Sequence, residues 1–356
     1  MAESVFEGPV CPLPLKQDKT VVIGHGSGGR MTRDLIEQVF QSAFGNSALQ
    51  AGNDFASVGL MEKANLNGRL AISTDAHVIN PIIFPGGDIG RLAVSGTVND
   101  ISMSGGIALY LTASFILEEG LPIETLNYVA QSMGKTASEA GVQIIAGDTK
   151  VVEKDKADKL FISTSGIGWI PEGVHISGEN ARDGDAVIIS GFIGEHGMAV
   201  LAARGNLNFT AEIQSDMAPL NHLIQGLIAS TPHVHVLRDP TRGGLATTLN
   251  EIAIQSQVTI ELDEEAIPVK PQVQAACEML GFDPLYVANE GKVIIILPES
   301  EAEGALQYLH QQPLGKDAAM IGRVRKDSSA RVLLKTIIGG TRIVDMLAGE
   351  MLPRIC

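Results

Sequence analysis

Residues 70–118 read LAISTDAHVINPIIFPGGDIGRLAVSGTVNDISMSGGIALYLTASFILE. LAISTD, Leu70 to Asp75, has the composition of a buried strand and ends in a carboxylate. Phe84-Pro85-Gly86-Gly87 then breaks the chain, because proline fixes φ and glycine turns freely. A helix follows from about Ile89 to Met103, ended by Gly105-Gly106, and Ile107 to Glu118 forms a long strand. Downstream come a helix from Glu124 to Glu139 closed by Gly141, and a strand from Val142 to Ala146 running into Gly147-Asp148-Thr149-Lys150. Lys159 to Trp169 is again a strand, with a break at Pro171-Glu172-Gly173. Upstream, Thr20 to Ile23 is a short strand candidate ending at Gly24. Residues 31–43 place Leu35, Ile36, Val39, Phe40 and Ala43 on one helical face, residues 47–68 carry no firm pattern, and the first twenty residues, with three prolines, read as a mobile extension.

A second set of elements begins near Asp185. Strands are expected at 186–190, 234–237, 258–262 and 293–297, with 318–325 and 331–336 as a closing pair. Helices are expected from about Glu195 and at 217–229, 243–255, 271–280 and 299–310. Strands and helices mix throughout, which predicts an α+β (mixed α/β) chain of two layered domains meeting near residue 170.

The composition narrows the function. Lys plus Arg number 26 against 41 Asp plus Glu, a net charge of −15. So acidic a surface disfavours nucleic acid and anionic lipid as partners. No apolar run approaches a membrane span of ~18–20 residues. The N-terminal stretch lacks the basic and apolar regions of a signal peptide, and three cysteines, Cys11, Cys277 and Cys356, make neither a disulfide framework nor a metal motif. The expected compartment is the cytoplasm. Glycine is abundant, 39 of 356, as in folds with many tight backbone turns.

Several motifs carry chemistry. His25-Gly26-Ser27-Gly28-Gly29-Arg30 lies between a strand and a helix, where backbone N–H groups and a helix N-terminus can cradle a phosphate; the alternative is a flexible turn. Asp75, Asp100 and Asp148 each have a local role in turns open to them, yet together they are hard oxygen ligands of the type Mg²⁺ takes alongside substrate phosphates. Lys150 is a surface lysine, an ammonium near phosphates or a base with its pKa lowered by burial, and Glu290 in Asn289-Glu290-Gly291-Lys292 is either a turn residue or a carboxylate aimed into a cleft. Asp239-Pro240-Thr241-Arg242-Gly243-Gly244 fixes Arg242 at a helix start, where its fork can clamp an anion. His196 reads as a structural histidine. Cys356 sits on a tail that spans at most ~36 Å from Met346 when extended; it is either an incidental thiol or a group carried into a cleft.

These residues resemble a known family. HGSGGR at 25–30, STD at 73–75, FPGGDIG at 84–90, GTVND at 96–100, FILEEGLP at 115–122, AGDTKVV at 146–152, DPTRGG at 239–244, ANEGK at 288–292, PLGKDAA at 313–319 and the closing PRIC at 353–356 are similar to the HypE family of hydrogenase maturation proteins, within the PurM-like (aminoimidazole ribotide synthetase) superfamily of ATP-using enzymes. The resemblance runs from about His25 to Cys356, and it assigns no role to the extension through about Val22.

The resemblance implies residues 1–44 as extension, Gly-rich loop and helix, a dimerising, ATP-binding domain over 45–168, a C-terminal domain over 169–345, and a mobile tail over 346–356. It implies a homodimer with ATP near its interface. It further implies ATP-dependent dehydration of an S-carbamoyl group on the protein's own Cys356 to a thiocyanate. The carbamoyltransferase HypF would load the sulfur, and the cyano group would pass to iron on the HypC–HypD complex for [NiFe]-hydrogenase. Within that chemistry, Cys356, Lys150 and Glu290 are the expected catalytic residues. His25, Gly26, Gly28, Gly29, Asp75, Asp100, Asp148 and Arg242 are expected to bind ATP, with Mg²⁺ on Asp75, Asp100 and Asp148. A different ATP-dependent phosphotransferase or amide-activating synthetase of the superfamily, acting on a small molecule with Cys356 incidental, is the rival expectation. A non-catalytic scaffold that presents the cysteine is a third.

Overall fold

A computed structural model describes residues 19–26, 30–46, 67–205, 212–327 and 329–347. The expectations placed on residues 1–18, on Ser27, Gly28 and Gly29, and on the tail with Cys356 lie outside the described residues.

The first half builds a four-stranded sheet. Its strands are β1 (Gly68–His77), β4 (Ile107–Glu118), β5 (Gln143–Val152) and β6 (Leu160–Pro171), ordered β1-β6-β4-β5. All neighbours are antiparallel except the β4–β5 pair, which is joined through a helix as parallel strands require. Between β1 and β4 lie a tight hairpin, β2 (Ile83–Phe84) and β3 (Gly87–Asp88), turning at Pro85-Gly86, and a helix at Ile89–Met103. Asp88 caps that helix, its Oδ1 accepting the N–H groups of Gly90 and Arg91 at 2.7 and 3.1 Å. The helix is buried on nearly every side, with Leu92, Val94 and Val98 wholly inaccessible, as expected of a helix apolar all round. It lies between the sheet and the helix Ile123–Ala140, which ends on Gly141 at φ 70°.

Alternation along the strands sorts the two faces of this sheet. Ala71, Phe115, Leu117 and Ile162 pack inward beneath the helices, each worth about 1.5–3 kcal/mol of burial for the larger side chains. The opposite face exposes Leu70, Ile72, Ile107 and Ile116, with Ile72 at 73%.

The second half builds a seven-stranded sheet ordered β13-β12-β9-β11-β7-β10-β8. Here β7 is Asp185–Ile189, β8 Val236–Arg238, β9 Thr259–Asp263, β10 Ile294–Pro298, β11 Ala319–Arg325, β12 Val332–Lys335 and β13 Thr341–Val344. The helix Gly244–Ser256 covers one face, and the helices Asn221–Ser230 and Glu299–His310 cover part of the other. The fold is thus mixed helix and sheet in layers, as the sequence predicts.

Several local expectations are corrected. Thr20 makes a single bridge to Pro122, and Ile23–Gly26 is a 3-10 turn rather than the end of a strand. The helix over 31–43 is interrupted by a π turn at Ile36–Phe40, which rotates Ile36 to 37% exposure while Leu35, Val39 and Phe40 stay buried. Gly147 to Lys150 continues strand β5 because the β4 ladder persists to Val152. The helix expected over 217–229 starts only at Asn221, since residues 212–220 run as a strap whose polar groups bond to the first half. Strands 318–325 and 331–336 are not a pair: β11 and β12 flank β9, and β12 closes instead with β13, which the sequence reading lacked.

Candidate active site

Two carboxylates come from the first half. In β1, Ser73, Asp75 and His77 alternate toward the central helix, which presents Asp100 near its end. The Ser73 hydroxyl donates to Asp100 Oδ2 at 2.6 Å, fixing strand and helix carboxylates side by side. His77 is buried, with Nε2 3.7 Å from Asp75 Oδ2 and 3.2 Å from the Thr164 hydroxyl.

Two more come from the second half. After β8 the chain turns through Asp239-Pro240-Thr241-Arg242 onto the helix Gly244–Ser256; Gly243 and Gly244 both have left-handed backbones, φ 72° and 61°, which let the helix start so abruptly. Glu290 stands in the loop before β10. Asn289 locks that loop, its Oδ1 accepting from Gly194 N–H at 2.7 Å and its Nδ2 donating to Pro240 O at 2.9 Å. Asp75, Asp100, Asp239 and Glu290 thereby converge, with His77, Thr241 and Arg242, on one cleft of about 100 Å³.

The electrostatics are those of crowded acids. Burial, reinforced by the Asp100 charge, pushes the Asp239 carboxyl up to about 7. Burial and the charges of Asp239 and Asp216 push Glu290 well above the ordinary range. Asp100 is raised by burial despite the Ser73 hydrogen bond, and burial lowers His77. Glu290 Oε1 is buried with no hydrogen-bond partner. Such a set asks for positive charge. Among the described residues no three His, Cys, Asp or Glu side chains close a metal cage. An ion that keeps waters and phosphate oxygens needs only one or two carboxylates, so the donor set fits a magnesium-type ion rather than a zinc-type one.

The raised pKa values carry a sign. A carboxyl that holds its proton in the folded state up to about pH 7, but loses it near 4 when unfolded, contributes stability present below pH ~4 and lost as pH rises through the folded value. In chelator, the urea midpoint is expected to fall between about pH 5 and pH 7.5. Asp239→Asn is expected to flatten that fall, and equal slopes for the two proteins would refute the assignment.

Asp148 and Lys150 do not join this cleft within one chain. Across the sheet Asp75 pairs with Thr164, Thr164 with Ala113 and Ala113 with Gly147, so Asp75 and Asp148 stand about 14 Å apart, three strand spacings. Asp148 pairs with Ser114 and Lys150 with Ile116, all on the open face. Lys150 Nζ lies 3.6 Å from Asp148 Oδ2, both exposed. His25 is buried, its Nδ1 accepting from Val22 N–H at 3.0 Å, and Gly26 ends the 3-10 turn, which packs on β5. His196 is buried and bonds Ser215 at 2.8 Å. The sequence reading missed His77 and Asp239 as cleft residues. Asp239 had a signal in its Pro-restrained DPTRGG setting, whereas His77 had none beyond strand parity with Asp75.

Comparison with known proteins bears on the family and the fold. The AIR synthase related protein, N-terminal domain, matches residues 52–170, and the AIR synthase related protein, C-terminal domain, matches 182–335. Carbamoyl dehydratase HypE of Cupriavidus necator is 51% identical over 356 residues, covering 100% of both chains. The crystal structure of hydrogenase maturation protein HypE in complex with ATP superposes with a TM-score of 0.90 at 50% identity, over 95% of this chain and 100% of that one. The HypE–HypF complex structure matches with a TM-score of 0.76 at 50% identity, over 88% and 99%. A cleft of convergent acids on an AIR synthase-type scaffold, in a sequence matched end to end by a carbamoyl dehydratase, leaves one conclusion: the chain belongs to the HypE family of carbamoyl dehydratases.

Proposed function

We propose that this protein uses ATP to dehydrate an S-carbamoyl group on its own Cys356 to a thiocyanate. HypF loads the sulfur, and the cyano group goes on to iron on HypC–HypD for [NiFe]-hydrogenase. The observation that carries the reading is the cleft itself: Asp75, Asp100, Asp239 and Glu290 facing one space, with Glu290 Oε1 unpartnered. The ATP-bound relative and the HypE–HypF complex support nucleotide and HypF as ligands here. Among the described residues no helix is long and apolar enough to cross a membrane; the cytoplasm as the site of the reaction is part of the proposal.

Amide dehydration in water is uphill, and oxide is a poor leaving group. When bound, ATP supplies the phosphoryl group that lets the carbamoyl oxygen depart as phosphate. Asp75 and Asp100 would hold Mg²⁺ and so orient the phosphates, because phosphoryl transfer needs mainly positioning and charge neutralisation. Arg242, fixed at its helix start, neutralises phosphate oxygens. Formation of C≡N then removes two protons from nitrogen. Glu290, raised in pKa by burial and neighbouring acids, is the base in this cleft; Lys150 is the second. Lys150 and Asp148 are delivered by the open sheet face of a second copy, in a homodimer, and the Gly-rich motif with His25, Gly26, Gly28 and Gly29 is assigned to the phosphates.

The test is the intact mass of the protein after carbamoylation by its transferase. Addition of Mg-ATP is expected to remove one water from the peptide bearing Cys356. ATP hydrolysis without any mass change on that peptide would overturn the proposal.

A further inference from the structure

Behind the cleft, outside its lining, sits a buried ion pair. The Asp216 side chain is 1% exposed and that of Lys292 11%, with Nζ to Oδ2 at 3.0 Å. Asp216 accepts three donors: Glu290 N–H on Oδ1 at 3.1 Å, Gly291 N–H on Oδ2 at 3.2 Å, and the Lys292 ammonium. Although burial pushes its carboxyl up, Lys292 and His196 hold it below the ordinary range, so Asp216 is ionised. Replacing one partner of such a pair exposes the cost of an uncompensated buried charge.

The peptide thus clamped is the one that aims Glu290. Asn99 Nδ2 donates to Glu290 O at 3.4 Å from the opposite side. Gly291 packs so closely that an added Cβ would lie 1.8 Å from the Asp216 carbonyl oxygen. Asp216 itself belongs to the strap 212–220, which is fastened to the first half: Ser215 N–H donates to Pro85 O at 2.9 Å, Arg91 Nε to Met217 O at 3.3 Å, and Leu220 N–H to Asn99 Oδ1 at 2.7 Å. Asn99 precedes Asp100 on the central helix. The strap therefore ties Glu290, a residue of the second half, to the helix that carries Asp100.

We propose that Asp216 is a positioning residue for the dehydration: its carboxylate clamps the Glu290–Gly291 peptide and Lys292 so that the Glu290 carboxyl faces Asp75 and Asp100 at a fixed separation. The clamp bears on the base and leaves the phosphate-binding residues in place. This rests on Glu290 being a base of the reaction proposed above. A displacement near 1 Å of a reacting group costs about 10²-fold in rate.

The experiment is a double-mutant cycle on the full-length, carbamoylated protein, with single-turnover loss of water read by mass and nucleotide affinity by calorimetry. Asp216→Asn is isosteric and offers the backbone only one acceptor. It is expected to slow dehydration about 10²-fold with ATP affinity within about 3-fold, and to add no further slowing in a Glu290→Gln background, since residues acting as a unit are non-additive. A merely structural role would weaken nucleotide binding and slow both backgrounds equally, which overturns the proposal, as does a wild-type rate for Asp216→Asn. If Asp216→Asn does not fold, Asp216→Glu, which keeps the charge opposite Lys292 but shifts the carboxylate off the two backbone N–H groups, is read by the same two criteria. A wild-type protein that loses no water, or a fast Glu290→Gln, instead refutes the underlying reaction or the base.

Discussion

Glu290→Gln is expected to lower the single-turnover rate of dehydration by about 10²–10⁴-fold, the usual contribution of a positioned acid or base. The substitution keeps shape and removes only the capacity to take a proton. Glu290 is 4% exposed, so its amide replacement meets the same neighbours. Mg-ATP binding is expected to change by less than about 3-fold, because Asp75, Asp100 and Arg242, the residues proposed for the phosphates and their ion, remain. The two-sided outcome separates this residue from a ligand of the ion, whose loss would weaken nucleotide first. The pH profile adds a second readout. Burial and the Asp239 and Asp216 charges raise the Glu290 pKa. A base must be ionised to act, so the wild-type rate rises with pH through that raised value, and the limb disappears in Glu290→Gln. Rapid-quench mass measurement of the Cys356 peptide checks both. A wild-type rate in the variant removes Glu290 from the mechanism.

How much of this is legible in the sequence depends on what each residue's pattern encodes. Ile89–Met103, Ile107–Glu118, Pro271–Leu280 and Glu299–His310 stand where the sequence puts them, because breakers bracket each run and the run has one period. The sequence groups Asp75 and Asp100, with Asp148, as one set of ion ligands and leaves Glu290 and Arg242 in motifs of their own; the fold brings Asp75, Asp100, Glu290 and Arg242 to one cleft. Two kinds of information were hidden. Strand parity was illegible in VQIIAGDTKVV, where apolar residues occupy both parities, so Asp148 could not be assigned to the open face. Long-range fastening was illegible as well. Nothing local marks Met217 to Leu220 as a strap, since its apolar residues fit a helix; its backbone is captured by Arg91 and Asn99 more than a hundred residues away. Asp216, inside that strap, carries no local signal of the Glu290 peptide it holds.

The opposed placement of Lys150 and Glu290 leads to the second large effect. Lys150 and Asp148 point to the open side of a sheet whose other side leans on the helix carrying Asp100. About 14 Å and the sheet itself separate Asp148 from Asp75. Leu70, Ile72, Ile107 and Ile116 are exposed on that same open side, a distribution suited to pairing with a second copy. A homodimer formed through it would complete each cleft with Lys150 of the other subunit. Lys150→Ala and Glu290→Gln homodimers are then both inactive, for different reasons. Co-expressed, they form mixed dimers in which one site has both defects and the other has neither. With random pairing, half the dimers are mixed and half their sites intact, so dehydration is expected to return to about a quarter of wild type. Sites built within one subunit would leave the mixture as inactive as its parents. Purifying the mixed dimer on two different affinity tags sharpens the contrast, since about half of its sites should then turn over. An inactive mixed dimer would place Lys150 and Glu290 in the same subunit's reaction, and would require β5 to move relative to the central helix.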